Sequence, residues 1–318
     1  MRALADTLFP PVETGSVPYW RLVLRGCSQL CFQSNELTGL FFLGAVLVAS
    51  PIGFLYFLVA AVMAPAGRML MGDRGAVLAS GLPGLNPGLV ALALPVFFQT
   101  DWTDAGMWAV LVISVASAIV LVSLCKAILP FPILALPFLI VLWALIALAP
   151  HLDVLQPVAS LPPEPATFHP VAAVLTSLGQ ALFAPTVLSG ILFAAGVTLS
   201  NWRHGVLAVC GAIIGTLVAY YYSDADAGSA NLGLYGFNGV LAAVSVFVVC
   251  GGKLRLAILG ALIATILTPV IAAFGVQTLS APFVFTTWLM LGLGWLERRW
   301  FDAAEPDPET TTPNPKPG

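Results

Sequence analysis

Two glutamines and two phenylalanines carry the most legible chemistry in this chain. Gln29 lies in SQLCFQSNELTGLFFLGA, from Ser28, and Gln180 lies in GQALFAPTVLSGILFAAG, from Gly179. The two blocks align at an offset of 151 residues, which places Phe32 and Phe183 three residues after each glutamine. A primary amide offers one carbonyl acceptor and two N–H donors, suited to a small polar neutral molecule. An aromatic face adds a flat wall for a planar solute. Either glutamine alone is equally well explained by an interhelical hydrogen bond; their equivalence across the alignment favours a lining role.

The elements that position them repeat as well. GLPGLNPGLVAL, from Gly81, aligns with GLYGFNGVLAAV, from Gly233, and ILALPFLIVLW, from Ile133, aligns with TLSAPFVFTTW, from Thr278. Three blocks in one order at nearly constant spacing point to duplication. Asn86 and Asn238 open the helices of the second block, where capping is the leading role and path lining the lesser one.

With 59% hydrophobic and 8% charged residues and a mean hydropathy of +0.97, the chain takes lipid as its solvent. The net charge of −3 favours no nucleic-acid partner. The first residues lack an apolar signal-peptide core, so the first spans are expected to target the chain. Ten apolar stretches stand as spans: 37–50, 51–67, 85–99, 104–126, 134–149, 187–200, 204–222, 236–250, 254–274 and 281–298. If the N-terminus is cytoplasmic, all 12 Lys and Arg fall on the inside, while Asp101, Asp153, Glu164, Asp224 and Asp226 fall outside. This predicts a multi-pass protein of the cell membrane with both termini cytoplasmic.

Stretches 20–33 and 172–184 are too short to cross and read as membrane-entering half-helices, with interfacial helices the alternative. Five spans per half is odd, so the second half is inverted. The expected fold is an all-α membrane protein with ten transmembrane helices in two inverted five-helix repeats, each with a half-helix. The expected organisation is a cytoplasmic segment 1–19, a first repeat 20–149, a proline-rich extracytoplasmic linker 150–171, a second repeat 172–300 and a disordered tail 301–318. Such repeats place a solute path at their interface.

No cofactor or enzyme chemistry is expected. No GxxxxGK[ST] loop is present, the five cysteines read as small core residues, and His151, His169 and His204 are isolated without metal-ligand spacing. The spans hold almost no ionisable residues, with Lys126, Arg203 and Glu297 at span ends, which weakens ion-coupled transport.

RGCSQLCFQ and NELTGLFFL, GLPGLNPGLVALAL with GLYGFNGVL, and the LxxPF…W blocks together resemble the urea transporter family from about residue 20 to 298. The resemblance implies homotrimers with one passive urea pore per protomer, in which aromatic slots are flanked by hydrogen-bond acceptors. Carried over, Gln29 and Gln180 face urea, and Leu30, Phe32 and Ala181 form walls. Phe237 makes an aromatic slot, Leu89 and Leu241 narrow the constriction, and Ser280 keeps a hydroxyl where the family has threonine. The chain departs from the pattern at Ala135 (threonine), Leu85 (aromatic) and Glu36 (proline). The second half therefore matches better, and a pore for another small neutral solute, a short amide or ammonia, stands as the alternative.

Overall fold

The computed structural model describes residues 17–159, 166–222 and 225–301, and among them the chain is helical with no strand. The expected segment 1–19 and tail 301–318, together with part of the linker, lie largely outside the described residues. We number twelve helices: α1 Tyr19–Ser28, α2 Glu36–Ala49, α3 Pro51–Leu70, α4 Leu85–Phe97, α5 Ala105–Ile128, α6 Leu136–Leu148, α7 Pro170–Gln180, α8 Val187–Ser200, α9 Trp202–Tyr222, α10 Phe237–Val249, α11 Leu254–Ala272 and α12 Ala281–Trp300.

The boundaries follow from side-chain chemistry. Asn35 accepts from the Thr38 amide at the start of α2, Ser50 from that of Gly53 in α3, Asp104 from that of Met107 in α5 and Thr186 from that of Ser189 in α8. Pro51 begins α3 one residue after α2 ends, as an N1 proline can.

Four helices (α3, α5, α9 and α11) have the length and apolarity to cross a membrane alone, and the bent pair Tyr19–Cys31 with Glu36–Ala49 makes a fifth, broken at 70°. Apolar helices α4, α6, α8 and α10 have only 13 or 14 residues, reaching about 20 Å against a hydrocarbon core of roughly 30 Å. Length and composition alone thus do not deliver ten spans. The shortness is already present in the apolar runs, since stretches 85–99, 134–149, 187–200 and 236–250 are themselves shorter than the roughly 20 residues a full span needs.

The centre of the molecule is the packing of α2 on α8. Phe42 and Phe193 stack with ring centroids 5.0 Å apart and planes 3° from parallel. On one side the Thr38 hydroxyl donates to the Gly196 carbonyl (2.8 Å), and on the other the Ser189 hydroxyl donates to the Ala45 carbonyl (2.7 Å). Partner numbers fall as residue numbers rise, so the helices run antiparallel. Thr38 and Ser189 are aligned residues, as are Ala45 and Gly196, which makes the contact reciprocal.

Reciprocity extends outward. The Trp143 indole donates to the Gln277 carbonyl, and that of Trp288 to the Pro132 carbonyl, both at 2.8 Å. Gly39 and Gly190 let α1 and α7 lie directly on α2 and α8: an added Cβ would sit 2.1 Å from the Leu24 carbonyl oxygen or 1.8 Å from that of Leu175. Gly39→Ala and Gly190→Ala are each expected to lose about 1–3 kcal/mol by overpacking. Gly44→Ala, with nothing within 4 Å of the new methyl, is expected to be neutral. Thermal unfolding of the three detergent-solubilised variants checks this.

Candidate functional site

The two short helices that lead to the glutamines end in the same way. After α1, a 3-10 turn Gln29–Cys31 runs into Phe32 at φ 56°; after α7, the chain reaches Phe183 at φ 55°. The Phe32 amide donates to the Gln29 carbonyl and the Phe183 amide to that of Gln180, each at 2.9 Å. A left-handed phenylalanine costs of order 1–3 kcal/mol, so tertiary packing must hold it. It does so across the halves. Phe32 meets Phe283 edge to face at 6.3 Å, and Phe183 meets Phe138 at 6.1 Å.

Leu134 and Leu279, at φ 48° and 46°, are the other two non-glycine residues with positive φ among the described residues. Their carbonyls accept from the side-chain amides of Asn86 and Asn238, both at 2.9 Å. This corrects the expectation that these asparagines cap their own helices, whose N-caps are Gly84 and Gly236. The side chains instead satisfy the start of the neighbouring helix, where Ala135 and Ser280 provide no side-chain cap. Asn86 completes the job, since its Oδ1 also accepts from the Phe138 amide at 2.9 Å.

Two cavities lie beside these elements. One, of about 700 Å³, is lined by Gln180, Phe183, Phe237 and Leu279, among others. The second, of about 310 Å³, is lined by Phe32, Leu85, Asn86 and Leu134, with Arg68 and Lys126 on its wall. Phe183 aligns with Phe32, Phe237 with Leu85 and Leu279 with Leu134, so the cavities occupy matching places in the two halves. Leu30, Leu89, Ala181 and Leu241 are buried and line neither cavity.

The glutamines differ in use. Gln29 lines neither cavity, and its amide donates to the Ser80 carbonyl at 2.8 Å. Gln180 Oε1 is buried without a hydrogen-bond partner, and so are Asn238 Oδ1, Ser280 Oγ, Thr286 Oγ1 and the Tyr56 hydroxyl. Four of these five oxygens belong to the second half. In the first half the corresponding places are Gln29, the fully engaged Asn86, and the non-hydrogen-bonding side chains of Ala135 and Val141. An unmet buried oxygen costs about 1–3 kcal/mol, and of these five residues Gln180 alone lines either cavity.

Three features escaped the sequence reading. Glu36 is buried and accepts from both Arg21 (2.6 Å) and Arg25 (2.8 Å), pinning α1 to the start of α2. Two arginines one turn apart, followed by a glutamate opening the next helix, carried that signal. Arg68 is buried too, paired with Asp73 at 2.6 Å. His204 is not isolated: its Nδ1 lies 3.0 Å from the side-chain nitrogen of Gln33, 171 residues away, and nothing local announces that contact. At the rim of the larger cavity, the Ser229 amide and other donors hold the Asp226 carboxyl below its ordinary range. Burial, then the charge of Asp226, raises the Tyr235 phenol. No group of three or more potential metal ligands occurs among the described residues.

Apolar helices, two short helices ending in left-handed phenylalanines, and paired cavities define an α-helical membrane protein. The chain belongs to the urea transporter family, whose pattern (UT: Urea transporter) matches residues 20–294. It is 26% identical over 239 residues to Urea transporter 1 of Rattus norvegicus, covering 70% of this chain and 62% of that protein. It is 24% identical over 296 residues to Urea transporter 1 of Ovis aries, covering 85% of this chain and 75% of that protein. The family is one of transporters, not enzymes.

Asn86→Ala strands the Phe138 amide and removes a donor from the Leu134 carbonyl, whereas Asn238→Ala removes only the donor to Leu279. Asn86→Ala is therefore expected to cost more stability, by about 1–3 kcal/mol, and parallel denaturation of both variants reads the difference.

Proposed function

We propose that this chain conducts urea passively across the cell membrane, through a pore between two inverted five-helix repeats at 20–149 and 172–300. The observation that carries the reading is the unmet Oε1 of Gln180 on the wall it shares with Phe183 and Phe237, with two further unmet oxygens, Asn238 Oδ1 and Ser280 Oγ, on residues next in the chain to the lining residues Phe237 and Leu279. Urea is planar and presents four N–H groups. Aromatic walls fit its faces, and acceptors replace the water its amides give up. Being neutral, it avoids the cost of carrying a charge past Leu89 and Leu241, which we assign to the constriction.

The reciprocal contacts between α2 and α8, and between the Trp143 and Trp288 indoles and the opposite halves, support inversion. In this reading α1 and α7 are the half-helices, α2–α6 and α8–α12 complete the ten spans, and 150–171 is the outer linker. The sorting of Lys and Arg supports a cytoplasmic placement for both termini and for the smaller cavity. We carry over from the family resemblance a homotrimer with one pore in each protomer. The second half dominates selection in this proposal, because Gln29 and Asn86 spend their side chains on backbone groups and Ala135 has no hydroxyl.

Stopped-flow flux into proteoliposomes tests the proposal. Urea flux should follow its own gradient and ignore imposed sodium or proton gradients; no flux in folded protein rejects it. Gln180→Leu should slow urea roughly tenfold, the equivalent of one lost hydrogen bond of about 1.4 kcal/mol. Ser245→Ala should change it little, because the Ser245 hydroxyl engages Thr287 Oγ1 at 2.8 Å within the protein. Equal losses in the two variants would remove Gln180 from the path. Acetamide, measured alongside, reports whether the leaner first half admits other amides.

A further inference from the structure

The larger cavity is lopsided in its charge, with Asp226 as the one ionisable acid on its lining and no cation opposite it. Thr265 and Thr268 line it, yet their hydroxyls donate back to the Ala261 and Ala264 carbonyls at 2.9 and 3.0 Å, leaving lone pairs for the cavity. The Tyr235 phenol donates to Asp226 Oδ2 at 3.1 Å and likewise keeps only acceptor capacity. Gln180, 9% exposed, contributes the unmet Oε1. Phe183 and Phe237 are half-buried on the wall, and Asp226 brings a carboxylate to the rim. No lysine, arginine or histidine lines this cavity, in contrast to the smaller one with Arg68 and Lys126.

Gln180 and Gln277 bring amide donors as well as acceptors, but the only formal charge on the lining is the Asp226 carboxylate, beside two π-faces, which favours a planar, positively charged ligand. Urea also fits, its carbonyl accepting from an amide N–H such as that of Gln180 or Gln277, but it brings no charge to Asp226. A guanidinium or amidinium group keeps the same planar outline, replaces that carbonyl by a further donor or a substituent, and adds a charge that aromatic faces and a carboxylate attract.

We propose that the larger cavity is a binding site for planar guanidinium and amidinium cations, which stop there and obstruct the solute path. The cavity volume of about 700 Å³ accommodates a head group carrying an aromatic ring, against Leu234 and the two phenylalanines. Passage beyond it is unfavourable, because Leu89 and Leu241 are apolar and a bare charge there costs several kcal/mol. The obstruction rests on the urea-channel reading above; the binding does not.

Benzamidine and its neutral counterpart benzamide separate charge from shape. Titration calorimetry on detergent-solubilised protein should detect benzamidine at least fivefold more tightly than benzamide. Asp226→Asn preserves the N-cap of the short turn Ala227–Asn231 while removing the charge. It should weaken benzamidine about two- to fivefold, the range for a solvent-exposed ion pair, and leave benzamide unaltered. In proteoliposomes, benzamidine should slow urea relative to each variant's own uninhibited flux, with the same order of potency. Equal binding of the two compounds, or benzamidine affinity insensitive to Asp226→Asn, overturns the site. Calorimetric binding without urea flux would reject the urea reading alone, and urea flux without benzamidine binding would reject this inference alone.

Discussion

The antiparallel contact of α2 with α8 is the constraint on which the other contacts depend. Its centre is a pair of aligned phenylalanines, Phe42 and Phe193, stacked face to face. On either side, one hydroxyl from each helix donates to a carbonyl of the other. Hydrophobic collapse gives little drive between helices in lipid, so small residues and polar contacts must set the register. Gly39 and Gly190, on these same two helices, are the points where α1 and α7 lie against them. A slip at the centre would displace both helices that lead to the glutamines together.

From that centre the strained features become intelligible. Four non-glycine residues with positive φ fall into two aligned pairs, Phe32 with Phe183 and Leu134 with Leu279. Each is held by a partner: the phenylalanines by rings from the opposite half, the leucines by asparagine amides. All four residues line one of the two cavities, Phe183 and Leu279 the larger, Phe32 and Leu134 the smaller. The backbone is thus nearly symmetric where it bends. Its side chains are not, since the second half leaves oxygens unmet where the first engages or lacks them.

Buried charge follows the same logic of compensation. Glu36 stands where the family pattern has proline, and it meets Arg21 and Arg25 rather than lipid. The aligned places in the second half hold Ala172, Thr176 and Val187. One short helix is therefore anchored by ions and the other by apolar and hydroxyl contacts. Removing one partner of a buried ion pair is costly, which makes the first half's support the less tolerant of substitution.

Much was determined by the sequence by itself. Hydropathy placed the helices within a few residues, because apolar runs act locally. The caps at Asn35, Ser50, Asp104 and Thr186 are local as well, though the sequence reading looked for caps at Asn86 and Asn238 instead. The aligned blocks identified Gln180, Phe183 and Phe237, which the fold gathers around one cavity. What only the tertiary structure decided was the partner of each polar side chain. Identical glutamines diverge because Ser80 lies within reach of Gln29, while Gln180 Oε1 meets no donor. Asn86 serves a helix 48 residues on, and Gln33 meets His204 from the opposite half. Residue type sets what a group can bond to; only the packed chain sets what stands close enough to be bonded.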